Sequence, residues 1–303
     1  MELVGKNAIV TGGSSGIGKA TAKLLSREGS NVFITARNQR RLDEALLEIK
    51  AEGTRPSQRF EAYSADVTDC SEIEATVAAI AANGGAPDIL VNSAGIARPG
   101  YFEKLPLSEF REQMETNYLG TLYATRAVVP HMIAQSGGHI VNISSVAGAI
   151  GVFGYTAYGA SKFAVRGFSE ALRIELNRYH IGVSVVIPND TDTPQLHEER
   201  GLQPLETKIT EGIIKPDNLR RPKEYVAYWL IKLVNDGGDP LDAEVVARSI
   251  IRGIRRGRYL IAPDPLFGLA YRLRGLLIPV VNWAFDQLVP LAGGQLEADQ
   301  RVH

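Results

Sequence analysis

Tyr158 and Lys162 stand four residues apart in "YGASK", with only small residues between them. On a helix such a pair shares one face, so a phenol and an ammonium can serve a single site. The chemistry this allows is proton transfer. A free tyrosine has a pKa of about 10, and a nearby cation favours the phenolate, which would bring the proton closer to exchange at neutral pH. The same spacing also occurs on ordinary solvated helix faces, so the rest of the chain has to supply a use for the pair.

Ser144 and Ser145 end the apolar run "HIVNISS", and the carboxyl end of a strand is where open α/β sheets bind ligands. Acyl transfer is disfavoured: "NISSVAG" lacks a G-x-S-x-G elbow, and His131, His139, His180, His197 and His303 are scattered without a triad arrangement. Those histidines and the single Cys70 also lack metal-ligand spacing, so no metal site is expected. In "EFREQMETNYLGTLYATRAV", Phe110, Met114, Asn117 and Thr121 fall on one helical face. An amide on such a face needs partners, so Asn117 either serves the site or satisfies neighbouring backbone.

The elements that would hold these groups are legible as alternating patterns. Strand-like runs "NAIVTGG", "NVFITAR", "FEAYSADV", "DILVNSAG", "HIVNISS" and "VSVVIP" are separated by stretches of helical length, the pattern of repeated βαβ units and a parallel sheet. Several runs are apolar almost throughout, as strands covered on both faces are. The expectation is an α/β, Rossmann-type doubly wound parallel sheet with helices on both faces. "TGGSSGIGKA" follows the first strand and opens a helix carrying Ile17, Ala20, Leu24 and Leu25. Gly12, Gly16 and Gly18, with Ser14, Ser15 and Ile17 between them, would let backbone amides at a helix N-terminus approach a pyrophosphate. The second strand ends in Arg37, with Arg40 and Arg41 close behind, where a carboxylate would select an unphosphorylated ribose. A guanidinium there favours a 2′-phosphate, hence NADP(H) over NAD(H).

Bulk properties are permissive. A chain of 303 residues can bury a substantial core, and a formal charge of -1 gives no global case for nucleic acid. One cysteine suits a reducing, cytoplasmic setting, and "MELVGKNAIVTGG" shows no signal-like apolar run.

Together, "TGGSSGIG", "NSAG", Asn117, Ser145 and "YGASK" resemble the short-chain dehydrogenase/reductase family over most of the first 190 residues, with Ser93 where the family usually has asparagine. The resemblance implies a catalytic set of Asn117, Ser145, Tyr158 and Lys162. It places the adenine on Asp66 and Val67, brings Asn92, Tyr158 and Lys162 to the cofactor, and implies a homo-oligomer. It also gives the tyrosine and lysine their use: Tyr158 would protonate a carbonyl oxygen held by Ser145, with Lys162 lowering the Tyr158 pKa and Asn117 supporting a bound water.

One domain is expected over residues 1–265, with a substrate flap at about 189–225 and an apolar extension over 266–303. The flap "PNDTDTPQLHEERGLQPLETK" has Asn189 where the family has glycine, and resembles the 3-ketodihydrosphingosine reductase subgroup, as does "YTAYGASKFAVRGFSEAL". That implies a lipid substrate, 3-ketosphinganine, reduced to sphinganine. The alternatives are another bulky ketone (steroid, retinoid or fatty acyl) and a non-catalytic NADP-sensing module. "EVVARSIIRGIRRGRYL" forms a basic amphipathic pattern that either covers the sheet or lies on a bilayer. The extension, apolar but interrupted by Pro279, Asn282 and Asp286, suits either a peripheral contact with the cytosolic membrane face or a subunit interface.

Overall fold

A computed structural model describes residues 1–204, 207, 219–235 and 240–300. The elements run β1 (Asn7–Thr11), α1 (Gly16–Arg27), β2 (Asn31–Ala36), α2 (Gln39–Ala51), β3 (Phe60–Ser64), α3 (Cys70–Gly84), β4 (Ile89–Asn92) and α4 (Leu107–Met114). They continue with α5 (Gly120–Ala134), β5 (Gly138–Ile143), α6 (Thr156–Leu176), β6 (Ile181–Val186), β7 (Thr191–Asp192) and α7 (Pro194–Arg200). The last are α8 (Pro222–Asn235), β8 (Leu241–Asp242), α9 (Ala243–Arg256), β9 (Leu260–Ile261), α10 (Pro265–Arg272) and α11 (Arg274–Gln300).

Seven strands make one sheet in the order β3-β2-β1-β4-β5-β6-β9, every pairing parallel. The order reverses beside β1, where β2 lies to one side and β4 to the other, and there the carboxyl ends open a crevice. β1, β4 and β5 are buried at every position, which explains their unbroken apolar runs. The period of two sorts their side chains between two cores. Val10, Ile34, Val91 and Val141 face α1, α2 and α9, where they meet Leu25, Ile49 and Ile250. Ile9, Phe33, Leu90 and Ile140 face α3 and α5, where they meet Ile73, Val128 and Met132.

The amphipathic segment after residue 243 resolves in favour of sheet cover. Val246, Ile250, Ile251 and Ile254 of α9 are buried, while Arg248 and Arg255 reach outward to Glu244 and Glu28. α9 starts on Asp242, whose side chain accepts from Glu244 N, and ends at Gly257 in the left-handed region, a common helix stop.

Beyond the sheet, α11 is one continuous helix through Pro279, although the sequence reads there as an interruption. An interior proline removes one backbone bond. Here Val281, Ala284 and Leu288, at helical spacing, are buried with Ala227 and Tyr228 of α8, so packing holds the helix across the break. Trp229, Leu276 and Trp283 remain exposed on this pair of helices. Among the described residues no helix is long and apolar enough to cross a membrane.

Candidate active site

Above the carboxyl ends of β1, β4 and β5 lies a cavity of about 790 Å³ that runs from the glycine-rich turn to α7. Gly12 has φ +66, and a methyl group added there would lie 2.7 Å from Ala94 N. The turn can thus press against the 93–94 backbone only as glycine. Gly16, also at positive φ, opens α1, and Thr193 at the head of α7 sits over it, its Cγ2 3.0 Å from where a Cβ would be. Ser14, Ser15, Gly16 and Ile17 line the cavity. Gly18 does not: it is the close-packing glycine, since a Cβ there would fall 2.4 Å from Gly12 O.

Arg37 and Arg41 line the far end beside Asp66 and Val67. The Arg37 guanidinium stands 4.0 Å from the Asp66 carboxylate and is two-thirds exposed, so it is free to turn toward a ligand anion. Asp66 itself is held by Thr68, whose N and Oγ1 both donate to Oδ1 at 2.9 Å. Asn92 is tied into the interior of the sheet. Sheet register sets it opposite Asn142, and its Nδ2 donates to Asn142 Oδ1 (2.8 Å) and Thr125 Oγ1 (3.1 Å), inside the protein rather than in the cavity lining.

The four groups read as a catalytic set converge. A single π-helical turn, Glu115–Leu119, interrupts α4 and α5 and carries Asn117; such bulges often mark functional sites. Asn117 Oδ1 accepts from Ile96 N (2.8 Å), while Nδ2 donates to Ile96 O (2.9 Å) and Ser161 Oγ (2.9 Å). Gly95 separates Asn117 from Lys162: a Cβ on it would lie 3.0 Å from Asn117 Oδ1 and 3.4 Å from Lys162 Nζ. Lys162, one turn beyond Tyr158 on α6, donates to Ile143 O at 3.0 Å and holds its ammonium 5.6 Å from the Tyr158 ring centre. Ser145 follows β5 in extended geometry and its Oγ accepts from Ala147 N. Ser144 points inward instead, donating to Lys162 O.

The electrostatics differ from the sequence expectation. Burial pushes the Tyr158 phenol above its ordinary value; the charge of Glu199 adds to this, and hydrogen bonding to Ser145 and Gln195 opposes it. Burial also lowers Lys162 to about 8, against the pull of Glu199. Loss of hydration decides the sign, so the phenol keeps its proton. His139, far from this site, is pushed to about 4 by burial and hydrogen-bonds Ser184 Oγ at 2.7 Å. It is neutral and structural.

Sequence reasoning missed Glu199. It lies on α7, 8% exposed, on the same side as buried Leu196 and in the cavity lining. A glutamate three residues after the apolar anchor of a short helix was the available signal. Tyr155 was missed too: its ring meets Tyr158 edge-on at 5.9 Å, its hydroxyl lies 3.5 Å from Glu199 Oε1, and it accepts from Gln203 Nε2 at 2.6 Å.

The cavity suits a dinucleotide by two observations. The Gly12 cradle gives backbone access at a helix N-terminus, and Asn189 Oδ1, buried in the lining, has no hydrogen-bond partner among the described residues, as an acceptor awaiting a donor would.

Comparison with known proteins agrees with this geometry. The sequence profile of the short chain dehydrogenases matches residues 6–203. A curated 3-dehydrosphinganine reductase of Danio rerio is 41% identical over 273 residues, covering 88% of this chain and 82% of that protein. A 3-ketodihydrosphingosine reductase of Dictyostelium discoideum is 38% identical over 302 residues, covering 95% and 83%. Among solved structures, a short chain dehydrogenase/reductase from Burkholderia phymatum in complex with NAD superposes with a TM-score of 0.74 at 23% identity, covering 92% of this chain and 96% of that one.

Proposed function

The chain belongs to the short-chain dehydrogenase family, and on that premise we propose that it reduces 3-ketosphinganine to sphinganine with NADPH. The observation that carries the chemistry is the convergence of Ser145, Tyr158 and Lys162 on one buried wall of the cavity, with Asn117 bracing it. The near full-length similarity to reductases of that name supports the substrate.

Ser145 Oγ, at the open end of β5, holds the carbonyl oxygen by a hydrogen bond, and Tyr158 gives that oxygen its proton. A bound nicotinamide cofactor supplies the hydride to the carbonyl carbon. Each turnover thus takes one hydride and one proton, and the alcohol leaves with both. Lys162 keeps an ammonium beside the phenol, anchored on Ile143 O, and would hold the cofactor's ribose. Asn117 fixes the Ile96 backbone and Ser161, and with it the turn of α6 that carries Tyr158. Ser14, Ser15, Gly16 and Ile17 would take the pyrophosphate, Asp66 and Val67 the adenine, and Arg37 the 2′-phosphate.

The test is cofactor oxidation with 3-ketosphinganine in mixed micelles, with NADH and a steroid ketone as comparisons. Turnover confined to NADPH and the sphingoid ketone is the expected result; turnover only with a different ketone sinks the substrate, and silence with every ketone favours a cofactor-sensing protein. Arg37→Asp tests the cofactor independently. Losing a charge-assisted contact worth about 1.5–3 kcal/mol, it is expected to raise the KM for NADPH roughly 10- to 100-fold while leaving that for NADH close to its starting value. Equal effects on both cofactors would remove Arg37 from the 2′-phosphate.

A further inference from the structure

A carboxyl group in the catalytic cavity has no cation of its own. Glu199 is 8% exposed and lines the cavity, yet among the described residues it makes no ion pair. Its basic neighbour, Arg200, stands 3.9 Å from Asp190 instead. Burial, and then the charge of Asp190, push the Glu199 carboxyl up to about 7, against hydrogen bonds from Gln195 and Tyr155 and the charge of Arg200. A buried carboxylate that has hydrogen bonds but no counter-charge is costly, and on α7 Glu199 faces inward beside buried Leu196 while Glu198 is exposed. The fold keeps it inside.

Its position relative to the reacting groups narrows what it is for. Tyr155 bridges the two: its ring packs on Tyr158 at 5.9 Å and its hydroxyl lies 3.5 Å from Glu199 Oε1. Glu199 therefore sits across one tyrosine ring from the phenol that meets the carbonyl. A positive group carried on the carbon next to that carbonyl falls within its reach, whereas one far along an alkyl tail does not. An alkylammonium has three donors and no acceptor, and the Glu199 carboxylate with the Tyr155 hydroxyl oxygen presents acceptors on one side.

We propose that Glu199, assisted by Tyr155, is the recognition site for a protonated amine adjacent to the reducible carbonyl, and so selects 2-amino ketones over plain ketones. This deepens the ketoreductase reading above and rests on it for the identity of the carbonyl group. Within that reading the ammonium of 3-ketosphinganine is the cation that Glu199 lacks. Glu199 then fixes which end of the lipid enters, and Ser145 and Tyr158 act on the oxygen so placed.

The experiment is calorimetric titration of the NADP-saturated protein with sphinganine and with its desamino diol counterpart in identical micelles, for the unaltered chain, Glu199→Gln and Glu199→Asp. Removing one partner of a desolvated charge pair costs enough to change affinity by about 30-fold or more. The expected result is an amine preference of that size in the unaltered chain, collapse of the preference in Glu199→Gln, and partial retention in Glu199→Asp, which keeps the charge. Equal binding of amine and diol by the unaltered chain overturns the assignment without any variant having to fold, and a preference that survives Glu199→Gln overturns it as well. Turnover of 3-ketosphinganine, measured separately, decides the ketoreductase reading: rapid turnover with no amine preference leaves that reading standing while this one falls.

Discussion

Tyr158→Phe is expected to lower turnover roughly a thousandfold, within the range lost when a positioned proton donor is removed, while the protein still binds NADPH. The substitution deletes one oxygen from a buried ring. The edge-on contact with Tyr155 and the placement beside the Lys162 ammonium belong to the ring and stay. What goes is the proton that the buried site holds on the phenol. The effect should therefore fall on kcat with little change in melting temperature, and cofactor titration by fluorescence provides the second reading. A variant that turns over near the original rate would remove Tyr158 as the donor.

Gly12→Ala should fail for a different reason. At φ +66 a side chain is strained, and the new methyl would lie between 2.7 and 2.9 Å from the backbone of Ala94 and Ser93, which cannot rotate away. Left-handed strain and overpacking each cost about 1–3 kcal/mol, and relief by movement of the turn would displace the amides that face the pyrophosphate. The expected outcome is a melting temperature lowered by several degrees together with cofactor affinity reduced beyond measurement. Gly167→Ala is the control: it lies within α6, with nothing within 4 Å of its added carbon, and should stabilise by up to about 1 kcal/mol. If Gly12→Ala binds cofactor as well as Gly167→Ala does, the cradle reading is wrong.

What the sequence could and could not announce follows from the range of each interaction. The pairing of Tyr158 with Lys162 and the glycine turn are local, fixed by helix spacing and by what glycine alone can do, and they read directly. The strands read because burial on both faces leaves unbroken apolar runs. β9 did not, being two residues long with its partner on distant β6. The Tyr158 shift could not be read from Lys162, because its sign is decided by burial under parts of the chain distant in sequence. Asn92 is similar: only sheet register reveals Asn142 as its partner. α11 shows the opposite failure, since Pro279 is a local stop signal overridden by distant packing on α8.

The packing of α9 carries a consequence for synthesis on the ribosome. Asn117, Ser145, Tyr158 and Lys162 have all been synthesised by residue 162, but the core on the α1 and α2 side of the sheet still lacks the part that Val246, Ile250 and Ile254 of α9 supply. The two ends of the domain are then tied, with Arg27 bonded to Glu244 and the Met1 amine to Arg255 O, 254 residues away. Contacts so far apart in the chain form late and leave apolar strands uncovered meanwhile. The four residues of the proposed site are therefore made well before the core that supports them, and the domain closes only when α9 packs on α1.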